Sequence, residues 1–366
     1  MTIENDFNYA PETVKEEWSD LFGKIGEAST KVDQKKWEHF TPEFLDSHSG
    51  EIDINQALEA QQQRRSLYES QKISQLEAHI KIETRMPITV FPIADIHFGS
   101  LYSNQKLWDY HRETILNTPG AYVVFLHNLV DNGMPGKFPN NILANGIPPH
   151  EQFRVMQQWI KELDGSGKIL GAIYSDCHEG WSWSVAGIES EKLLYGYKNR
   201  QFPVIENGGI LHLDIDEQSY AIGLWHKQGP FNSRFNPEHA LRQNRRLNHE
   251  GVTDVEIGAH YHNTAASASY EGAKNRMKPV QFIRVGTYKG VPFSLNEQEF
   301  ITDKWSVEKF GSTGQMPGTA LMFWDNKHEI DNSIDFETAV EKHLAVRTLS
   351  LVKEMGLLDK LNRLMK

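Results

Sequence analysis

Side chains that can bind metal ions recur through the middle of this 366-residue chain, each group directly after a short apolar run. In chain order the groups are Asp95 and His97, Asn128 and Asp131, Asp176 to Glu179, His226, and His260 and His262. Residues two apart on an extended segment point the same way, so the pairs that open and close this series can each reach one ion. Mixed carboxylate and imidazole ligands suit Mn²⁺, Fe²⁺, Zn²⁺ or Co²⁺ rather than Ca²⁺.

The apolar runs before these groups are predicted to be β-strands. They cover residues 88–94, 121–126, 169–174, 220–225, 255–259 and 282–285. Apolar residues at helical spacing predict a helix over 150–163 among them. Strands that alternate with helices indicate an α/β layered domain, in which functional residues gather in the loops at strand ends. Because every member of the series follows a predicted strand, the series is a stronger signal than any single fragment.

The order Asp-x-His, Asn-x-x-Asp, His-Glu, His and His-x-His resembles the calcineurin-like metallophosphoesterase superfamily, in its phosphodiesterase or nuclease-type branch. The resemblance covers residues 88–289 and leaves both termini unexplained. It implies an α/β fold, a four-layer sandwich of two mixed β-sheets flanked by helices. It also implies two divalent metal ions, with Mn²⁺ favoured over Fe, Zn or Co, and a metal-bound hydroxide that attacks a phosphate ester.

Matched position by position, the resemblance also implies roles for individual residues. The implied metal ligands are Asp95, His97 and His262 for the first ion, His226 and His260 for the second, and Asn128 and Asp176 at two positions that depart from the family pattern. His178 corresponds to the catalytic histidine that faces the substrate and stabilises or protonates the leaving oxygen.

The first departure is Asn128, which stands where the family has an aspartate that bridges the two ions. A neutral amide there removes a negative charge between two cations, worth several kcal/mol to each ion at an effective dielectric constant of about 20. We therefore expect the second ion to bind more weakly. Two alternatives stay open: His127 compensates as an extra ligand, or the chain has low or no activity.

The second departure is the segment Asp176-Cys177-His178, where the family has Gly-Asn-His. In strict register Cys177 takes the asparagine position, and its thiolate can bind zinc or iron. If the loop bulges by one residue, Asp176 takes that role and restores a carboxylate. A third reading is a cysteine buried beside the site. The prediction favours Asp176.

A basic segment follows His226 in this otherwise acidic chain. It holds two phenylalanines, Phe231 and Phe235, and the arginines Arg234, Arg242, Arg245 and Arg246. Arginine forks match phosphate oxygens and aromatic faces stack on bases, so a nucleotide or nucleic-acid site is predicted, with Arg234 and Arg242 as substrate-binding residues. The alternative is a solvated helix face that pairs with nearby glutamates.

Composition limits the class of protein. A net charge of −11 argues against a protein coated in nucleic acid, without excluding a local basic groove. The single cysteine excludes an intramolecular disulfide, which fits a reducing compartment. The first nine residues are polar and unlike a signal peptide, and no apolar run approaches the roughly 20 residues of a membrane span. We expect a cytoplasmic protein, or one of the host cytoplasm if phage-encoded, with no membrane partner.

Three parts are predicted along the chain: a helical N-terminal extension (1–81), the metallophosphoesterase domain (82–330) and a helical C-terminal extension (331–366). The extensions are expected to contact a partner protein or a second copy of the chain. The predicted function is a metal-dependent phosphodiesterase that acts on nucleic acid or nucleotides. The alternatives are a phosphomonoesterase of a protein or small molecule, and a non-catalytic binding or scaffold protein on an inactive phosphoesterase fold.

Overall fold

The computed structural model of the protein describes residues 54–71, 74–133, 145–228, 236–271, 277–291, 315–355 and 357. The chain divides into two compact units, Met1–Lys72 and Ile73–Lys366. In the first unit the described residues form a single helix, α1 (Ile54–Gln71). All further elements described below belong to the second unit.

A mixed β-sheet organises the second unit. Its strands are β1 (Ser74–Ile82), β2 (Ile88–Ile93), β3 (Ala121–Phe125), β4 (Ile169–Tyr174), β5 (Val204–Ile215), β6 (Gln218–Trp225), β7 (Val255–Gly258), β8 (Ala265–Glu271), β9 (Lys278–Arg284), β10 (Ala320–Phe323) and β11 (Ile330–Ser333). In space the order is β11-β10-β2-β3-β4-β5-β6-β7-β9-β8, and β1 pairs with β5 outside this path. β2, β3 and β4 are mutually parallel, as are β6, β7 and β9. Each parallel set delivers its following loops to one edge of the sheet.

The long strand β5 connects the two parallel sets. Its residues 204–206 pair with β4, and its residues 209–215 pair antiparallel with β6. Between these segments Asn207 and Gly208 have positive φ values of 57° and 142°. A Cβ on Gly209 would lie 1.9 Å from the carbonyl oxygen of Leu76, so only glycine fits there. The described strands are therefore hydrogen-bonded into one continuous sheet, and its division into two sheets within four layers stays a prediction.

Alternate residues of the central strands β2 and β3 enter two different hydrophobic clusters. In β2, Val90 belongs to a cluster shared with β5, β6, β7 and β9, whereas Phe91 belongs to a cluster shared with the helices. The same alternation separates Val124 from Val123 and Phe125 in β3. Because side chains on a strand point to opposite faces in turn, both faces of these central strands are buried.

Six α-helices accompany the sheet among the described residues of this unit. They are α2 (Gln105–Asn117), α3 (Pro149–Gly165), α4 (Trp181–Ala186), α5 (Ser190–Tyr195), α6 (His239–Asn248) and α7 (Phe336–Glu354). α2 begins where the side chain of Asn104 accepts a hydrogen bond from the backbone of Leu107. α3 has Pro149 in its first turn and buries Phe153, among other apolar residues, in the same cluster as Trp108 of α2.

The mixed α/β class is confirmed, and the six predicted strands match β2, β3, β4, β6, β7 and β9 to within a few residues. The helical prediction for the N-terminal part (1–81) is wrong at residues 74–81, which belong to β1, a strand that pairs in parallel with β5. In the C-terminal part, α7 is a helix as predicted. The functional division at residues 81 and 330 stays a prediction. Among the described helices, none is both long and apolar enough to cross a bilayer.

Candidate metal centre

The loops after both sets of parallel strands meet at one place. Asp95 follows β2 and His127 follows β3, and the backbone N–H of Asp95 donates to the carbonyl oxygen of His127 at 3.2 Å. From the other set, Tyr288 after β9 donates its N–H to the carbonyl oxygen of Asp95 at 3.0 Å. The ring of His226, after β6, donates from Nδ1 to the carbonyl oxygen of Leu126 at 2.7 Å. Hydrogen bonds therefore connect loops from opposite ends of the strand order.

Strained backbone is concentrated in these loops. Ten non-glycine residues of the described chain have positive φ, and seven belong to the site loops: Asp95, His97, His127, Asn128, Asn132, His260 and His262. A non-glycine residue in this conformation costs about 1–3 kcal/mol and persists only where the surroundings enforce it. Such strain is concentrated at functional sites, so it supports the prediction that these loops form the functional site.

The first candidate metal cluster consists of Asp95, His97 and His262, all buried. The two Nε2 atoms of His97 and His262 face each other at 3.2 Å. They lie 3.6 and 3.7 Å, respectively, from Oδ1 of Asp95. Ligand atoms at about 2.0–2.2 Å from a tetrahedral zinc are separated by roughly 3.3–3.6 Å. The three side chains are therefore spaced like ligands of a single ion.

The second candidate cluster consists of Cys177, His226 and His260. Nε2 of His226 lies 3.2 Å from Nδ1 of His260, which lies 3.8 Å from Sγ of Cys177. Asp176 is exposed and is in none of the candidate clusters found among the described residues. The loop after β4 places the thiol of Cys177, and not the carboxylate of Asp176, beside the two imidazoles, as expected if the loop does not bulge. The geometry therefore gives no support to the predicted ligand role of Asp176.

Backbone and carboxylate acceptors fix the ring orientations. Nδ1 of His97 donates to Oδ1 of Asp131 at 3.0 Å, and Nδ1 of His226 donates to a backbone carbonyl. Each ring therefore presents the lone pair of Nε2 to its cluster. Metal-binding histidines almost always donate their other ring nitrogen in this way, which fixes the tautomer.

Four of the six cluster residues are held in the protonation states that metal binding requires, and Cys177 and His97 are the exceptions. Burial raises the pKa of Cys177 to about 11. Burial and Lys289 lower the pKa of His97, but contacts with Asp131 and Asp95 outweigh them and raise it.

Burial lowers the pKa of His226 well below its ordinary value, lowers that of His260 to about 3, and lowers that of His262. Burial alone would raise the pKa of Asp95, but the contacts with His262 and His97 hold it well below its ordinary value. Neutral imidazoles beside an ionised carboxylate are the ligand forms that bind divalent cations.

Asp95 also links the two clusters. Its Oδ2 accepts the backbone N–H of His260 at 2.8 Å, and its Oδ1 accepts Nδ2 of Asn128 at 2.9 Å. The other amide atom of Asn128, Oδ1, is buried and has no hydrogen-bond partner. A buried acceptor without a partner is unusual and calls for an ion or water. The donor types, their spacing and this orphan oxygen together fit one or two bound metal ions.

Asp131 and Lys289 form a second, charged layer beside the first cluster. Nζ of Lys289 lies 3.0 Å from Oδ1 of Asp131, and both side chains are buried. Burial would raise the pKa of Asp131, but Lys289 and then His97 lower it instead. His178 donates from Nδ1 to the backbone carbonyl of Asp131 at 2.6 Å, and its ring stacks on Trp181 with centroids 4.1 Å apart.

Sequence reasoning included Asp131 in the series as the end of the Asn-x-x-Asp motif but assigned it no role. It also missed the pairing of His127 with Glu179. Nε2 of His127 lies 3.0 Å from Oε2 of Glu179, and both residues are fully buried. The other carboxylate oxygen of Glu179 accepts the backbone N–H groups of Leu129 and Val130. Nε2 of His127 thus supports the loop, whereas its Nδ1 is buried without a hydrogen-bond partner, and the role of His127 as an extra ligand stays a prediction.

The predicted substrate arginines are only partly described. Arg234, with Phe231 and Phe235, lies outside the described residues. Arg242 hydrogen-bonds Ser267 Oγ at 2.9 Å, and its guanidinium lies 4.2 Å from the ring centroid of Phe282. The substrate role of both predicted arginines stays a prediction.

The two arginines further along α6 differ in exposure. Arg245 is buried and pairs with Glu271 at 2.7 Å, whereas Arg246 is exposed. A guanidinium that is buried and already paired serves the fold, so Arg246 is the better placed of the two to meet a phosphate from solvent.

Comparisons with known proteins add little. No family model and no curated protein sequence matches the chain. Among solved structures it is similar to the crystal structure of wild-type Vps29 complexed with Zn²⁺ from Entamoeba histolytica. That match has 13% sequence identity and a TM-score of 0.30, and covers 67% of this chain and 98% of that chain. A likeness this weak carries no argument, so the site is interpreted from its own geometry.

Proposed function

We propose that this chain is a metal-dependent phosphoesterase, with a phosphodiester of nucleic acid or a nucleotide as its substrate. The observation that carries the proposal is the pair of ligand clusters joined through Asp95, whose Oδ1 lies beside the imidazoles of the first and whose Oδ2 accepts the backbone N–H of His260 in the second. Two-metal hydrolases of phosphate esters need such a pair of adjacent ion sites.

The residues proposed to hold the ions are the six of the two clusters, with Asn128 beside them. Bound divalent ions would polarise a phosphoryl oxygen, make a water molecule more acidic and neutralise charge on the phosphate. Asp131 and Leu126 hold the rings of His97 and His226 with Nε2 inward. The strained loops fix these positions before substrate arrives, so little reorganisation accompanies binding.

His178 is proposed to handle the proton of the leaving oxygen. Its Nδ1–H is committed to the carbonyl of Asp131, so Nε2 carries the lone pair in the neutral ring. Burial holds the pKa of His178 well below its ordinary value. His178 must therefore take up a proton at Nε2 before it can donate one, and an anionic phosphate nearby favours that step. Lys289 supplies positive charge on the same side through its bond to Asp131.

The nucleic-acid part of the proposal rests on the basic segment after His226. Arg246 is exposed on α6, at the end of a helix whose last turn carries two arginines. Phosphate binding by such a segment releases counterions and makes affinity depend on salt, even in a protein of net charge −11. A phosphomonoester of a protein or small molecule is the alternative substrate if that dependence is missing.

Hydrolysis of two chromogenic esters tests the proposal. Metal-free protein is titrated with Mn²⁺ or Zn²⁺ and assayed on bis(p-nitrophenyl) phosphate and on p-nitrophenyl phosphate. We expect metal-dependent hydrolysis, faster with the diester, and its loss in His262→Ala. His150→Ala is the matched control, because His150 is exposed on α3 and lies outside every cluster found in the described chain. Absence of hydrolysis of either ester under all metal conditions contradicts the proposal.

One observation favours a second candidate, a non-catalytic binding or scaffold protein. Asn128 turns its NH₂ group to Asp95 at 2.9 Å, which satisfies the carboxylate by a hydrogen bond rather than by an ion. A chain that has lost catalysis can keep its fold while its site residues satisfy each other in this manner. Metal binding with no hydrolysis, even after Asn128→Asp, would favour this candidate over the phosphoesterase.

A further inference from the structure

The chain has one cysteine, and it lies in the second metal cluster. We propose that the thiolate of Cys177 is a metal ligand and that it makes this half of the centre selective for zinc over manganese. The inference deepens the proposed function and rests on the same metal centre. It concerns which ion is bound and by which atom, so it can be tested without catalysis.

The spacing of the three ligand atoms supports a shared ion. A tetrahedral zinc with Zn–S of about 2.3 Å and Zn–N of about 2.0–2.1 Å separates sulfur from nitrogen by roughly 3.6 Å, and two nitrogens by roughly 3.3 Å. Sγ of Cys177 lies 3.8 Å from Nδ1 of His260, and that nitrogen lies 3.2 Å from Nε2 of His226. Both separations are within a few tenths of an ångström of the tetrahedral values.

The backbone around Cys177 is held from two directions. Its carbonyl oxygen accepts the backbone N–H of Gly180 at 2.6 Å and Nε2 of His127 at 3.1 Å. The same Nε2 lies 3.0 Å from Oε2 of Glu179, and His127 and Glu179 are both fully buried, so buried groups position the backbone that carries the thiol. Preorganised ligands of this kind favour one coordination geometry over others.

The two halves of the centre differ in ligand softness. Asp95, His97 and His262 offer one oxygen and two nitrogens, a set that manganese accepts. Cys177, His226 and His260 offer one sulfur and two nitrogens. Soft thiolate ligands select zinc over hard cations, and a Cys-His-His set with an open fourth position is suited to Zn²⁺. The second half should therefore discriminate against manganese more strongly than the first.

Cobalt reports on the proposed bond directly. Co²⁺ replaces Zn²⁺ in tetrahedral sites, and a thiolate ligand adds a sulfur-to-cobalt charge-transfer band in the near ultraviolet. With only Cys177 in the chain, any such band belongs to this residue. We expect the band when Co²⁺ is added to metal-free protein, and its disappearance when Zn²⁺ displaces the cobalt. Cobalt binding without the band overturns the inference.

Thiol reactivity gives a second measurement on the unmodified chain, so the inference does not depend on a variant that folds. The rate of alkylation of Cys177 by iodoacetamide is measured with Zn²⁺, with Mn²⁺ and with chelator. Zn²⁺ should slow alkylation by at least about tenfold, and Mn²⁺ at the same concentration should leave the rate close to that of the metal-free protein. Equal rates under all three conditions overturn the inference.

Two variants measure the selectivity. Cys177→Ser and Cys177→Asn remove the thiolate, and the second inserts the residue type expected at this position from the family pattern. Zinc affinity should fall by at least about 10–100-fold, the loss typical of changes around a metal site, while manganese affinity should not fall. Circular dichroism verifies folding. An unchanged zinc affinity in both folded variants overturns the inference.

The same samples separate this inference from the proposed function. A cobalt–sulfur band in a protein that hydrolyses no phosphate ester upholds the ligand assignment and contradicts the phosphoesterase. Hydrolysis by a protein that lacks the band, with zinc affinity unaffected by Cys177→Ser, upholds the phosphoesterase and contradicts the ligand assignment.

Discussion

Lys289 and Asp131, 158 residues apart in the chain, form a buried ion pair with Nζ 3.0 Å from Oδ1. The same carboxylate oxygen accepts Nδ1 of His97 at 3.0 Å. The cation therefore supports an anion that orients a candidate metal ligand. Because both partners are desolvated, loss of Lys289 would leave the Asp131 carboxylate with only the His97 hydrogen bond to its side chain.

Lys289→Met should destabilise the metal-free protein by about 3–5 kcal/mol, since it leaves the buried charge of Asp131 uncompensated. The free energy of unfolding is measured by urea denaturation. The double variant Lys289→Met/Asp131→Asn should lose less than the single one, because the orphan charge is gone.

Lys327→Met is the control for that series. Its Nζ pairs with Glu329 and lies 4.0 Å from the ring centroid of Trp324, and the side chains of Lys327 and Glu329 are about half exposed at 45% and 49%. Exposed ion pairs contribute about 0–1 kcal/mol, so the change in unfolding free energy should stay within that range. A Lys289→Met variant no less stable than this control would contradict the proposed dependence of Asp131 on Lys289.

Asn128→Asp should have opposite effects without and with metal. Its NH₂ group now donates to Asp95 at 2.9 Å, and an aspartate there would place two carboxylates in contact without a donor. At an effective dielectric constant of about 20, like charges about 3 Å apart repel by several kcal/mol. The thermal midpoint of the metal-free variant should therefore fall, whereas metal affinity and the metal-bound midpoint should rise.

Calorimetric titration with Mn²⁺ and thermal melts with and without metal measure both effects of Asn128→Asp. Asn248→Asp is the control, since Asn248 is exposed in the last turn of α6. Equal manganese affinity in Asn128→Asp and the original chain would mean that Asn128 does not neighbour a bound ion.

His111 should make stability depend on pH in the acid range. It is buried in α2, with Nδ1 2.9 Å from the Tyr288 hydroxyl and its ring stacked on Phe336 at 3.7 Å. Burial lowers its pKa from 6.5 to about 3. Between these values the unfolded chain binds the extra proton, so stability is full above pH 6.5 and falls as pH drops, by about 1.4 kcal/mol per pH unit.

His111→Gln should reduce that slope by about 1.4 kcal/mol per pH unit, whatever its effect on stability at neutral pH. Urea unfolding of metal-free protein at several pH values between about 4 and 6 measures the slope, since that range lies between the two pKa values. His150→Gln is the exposed control and should leave the slope unchanged. Parallel curves for His111→Gln and the original chain would contradict the assignment.

Substitutions of two neighbouring arginines of α6 should have different effects, one on stability and the other on substrate binding. Arg245→Ala removes a buried guanidinium that binds Glu271 and the carbonyl of Thr253, so it should cost about 1.5–3 kcal/mol of stability. Arg246→Ala should change stability by no more than about 0.5 kcal/mol, because its side chain is exposed.

If α6 binds nucleic acid, Arg246→Ala should also weaken oligonucleotide binding. The slope of log affinity against log salt concentration should become shallower by about one, because about one fewer counterion is released. Fluorescence anisotropy on a labelled single strand across a salt series measures both quantities. Binding that is unaffected by Arg246→Ala, or independent of salt, would leave a small phosphomonoester as the better substrate candidate.

The order of strands and ligand types could be predicted from the sequence because both are local patterns. Polar residues directly follow the apolar runs of β2, β3, β4, β6, β7 and β9 in the sequence. The series from Asp95 to His262 could therefore be identified without knowledge of any long-range contact. Asp95 and His97 do belong to one cluster, but the extended segment expected for them is wrong: both follow β2 with φ values of 51° and 50°, so the loop backbone and not strand alternation brings them together. β1 escaped prediction because its pairing with β5 depends on a partner about 130 residues away.

Only the tertiary structure determined which side-chain atoms of the candidate site lie next to each other. A one-residue shift in the loop after β4 exchanges Asp176 for Cys177, and only the packed loop, anchored through His127 and Glu179, selects the thiol. The ion pair of Asp131 with Lys289 and the unpartnered oxygen of Asn128 likewise exist only when distant loops meet. Burial together with the contacts between distant side chains sets the charge states of the clusters, and both depend on the whole fold, so no local spacing could have revealed these states.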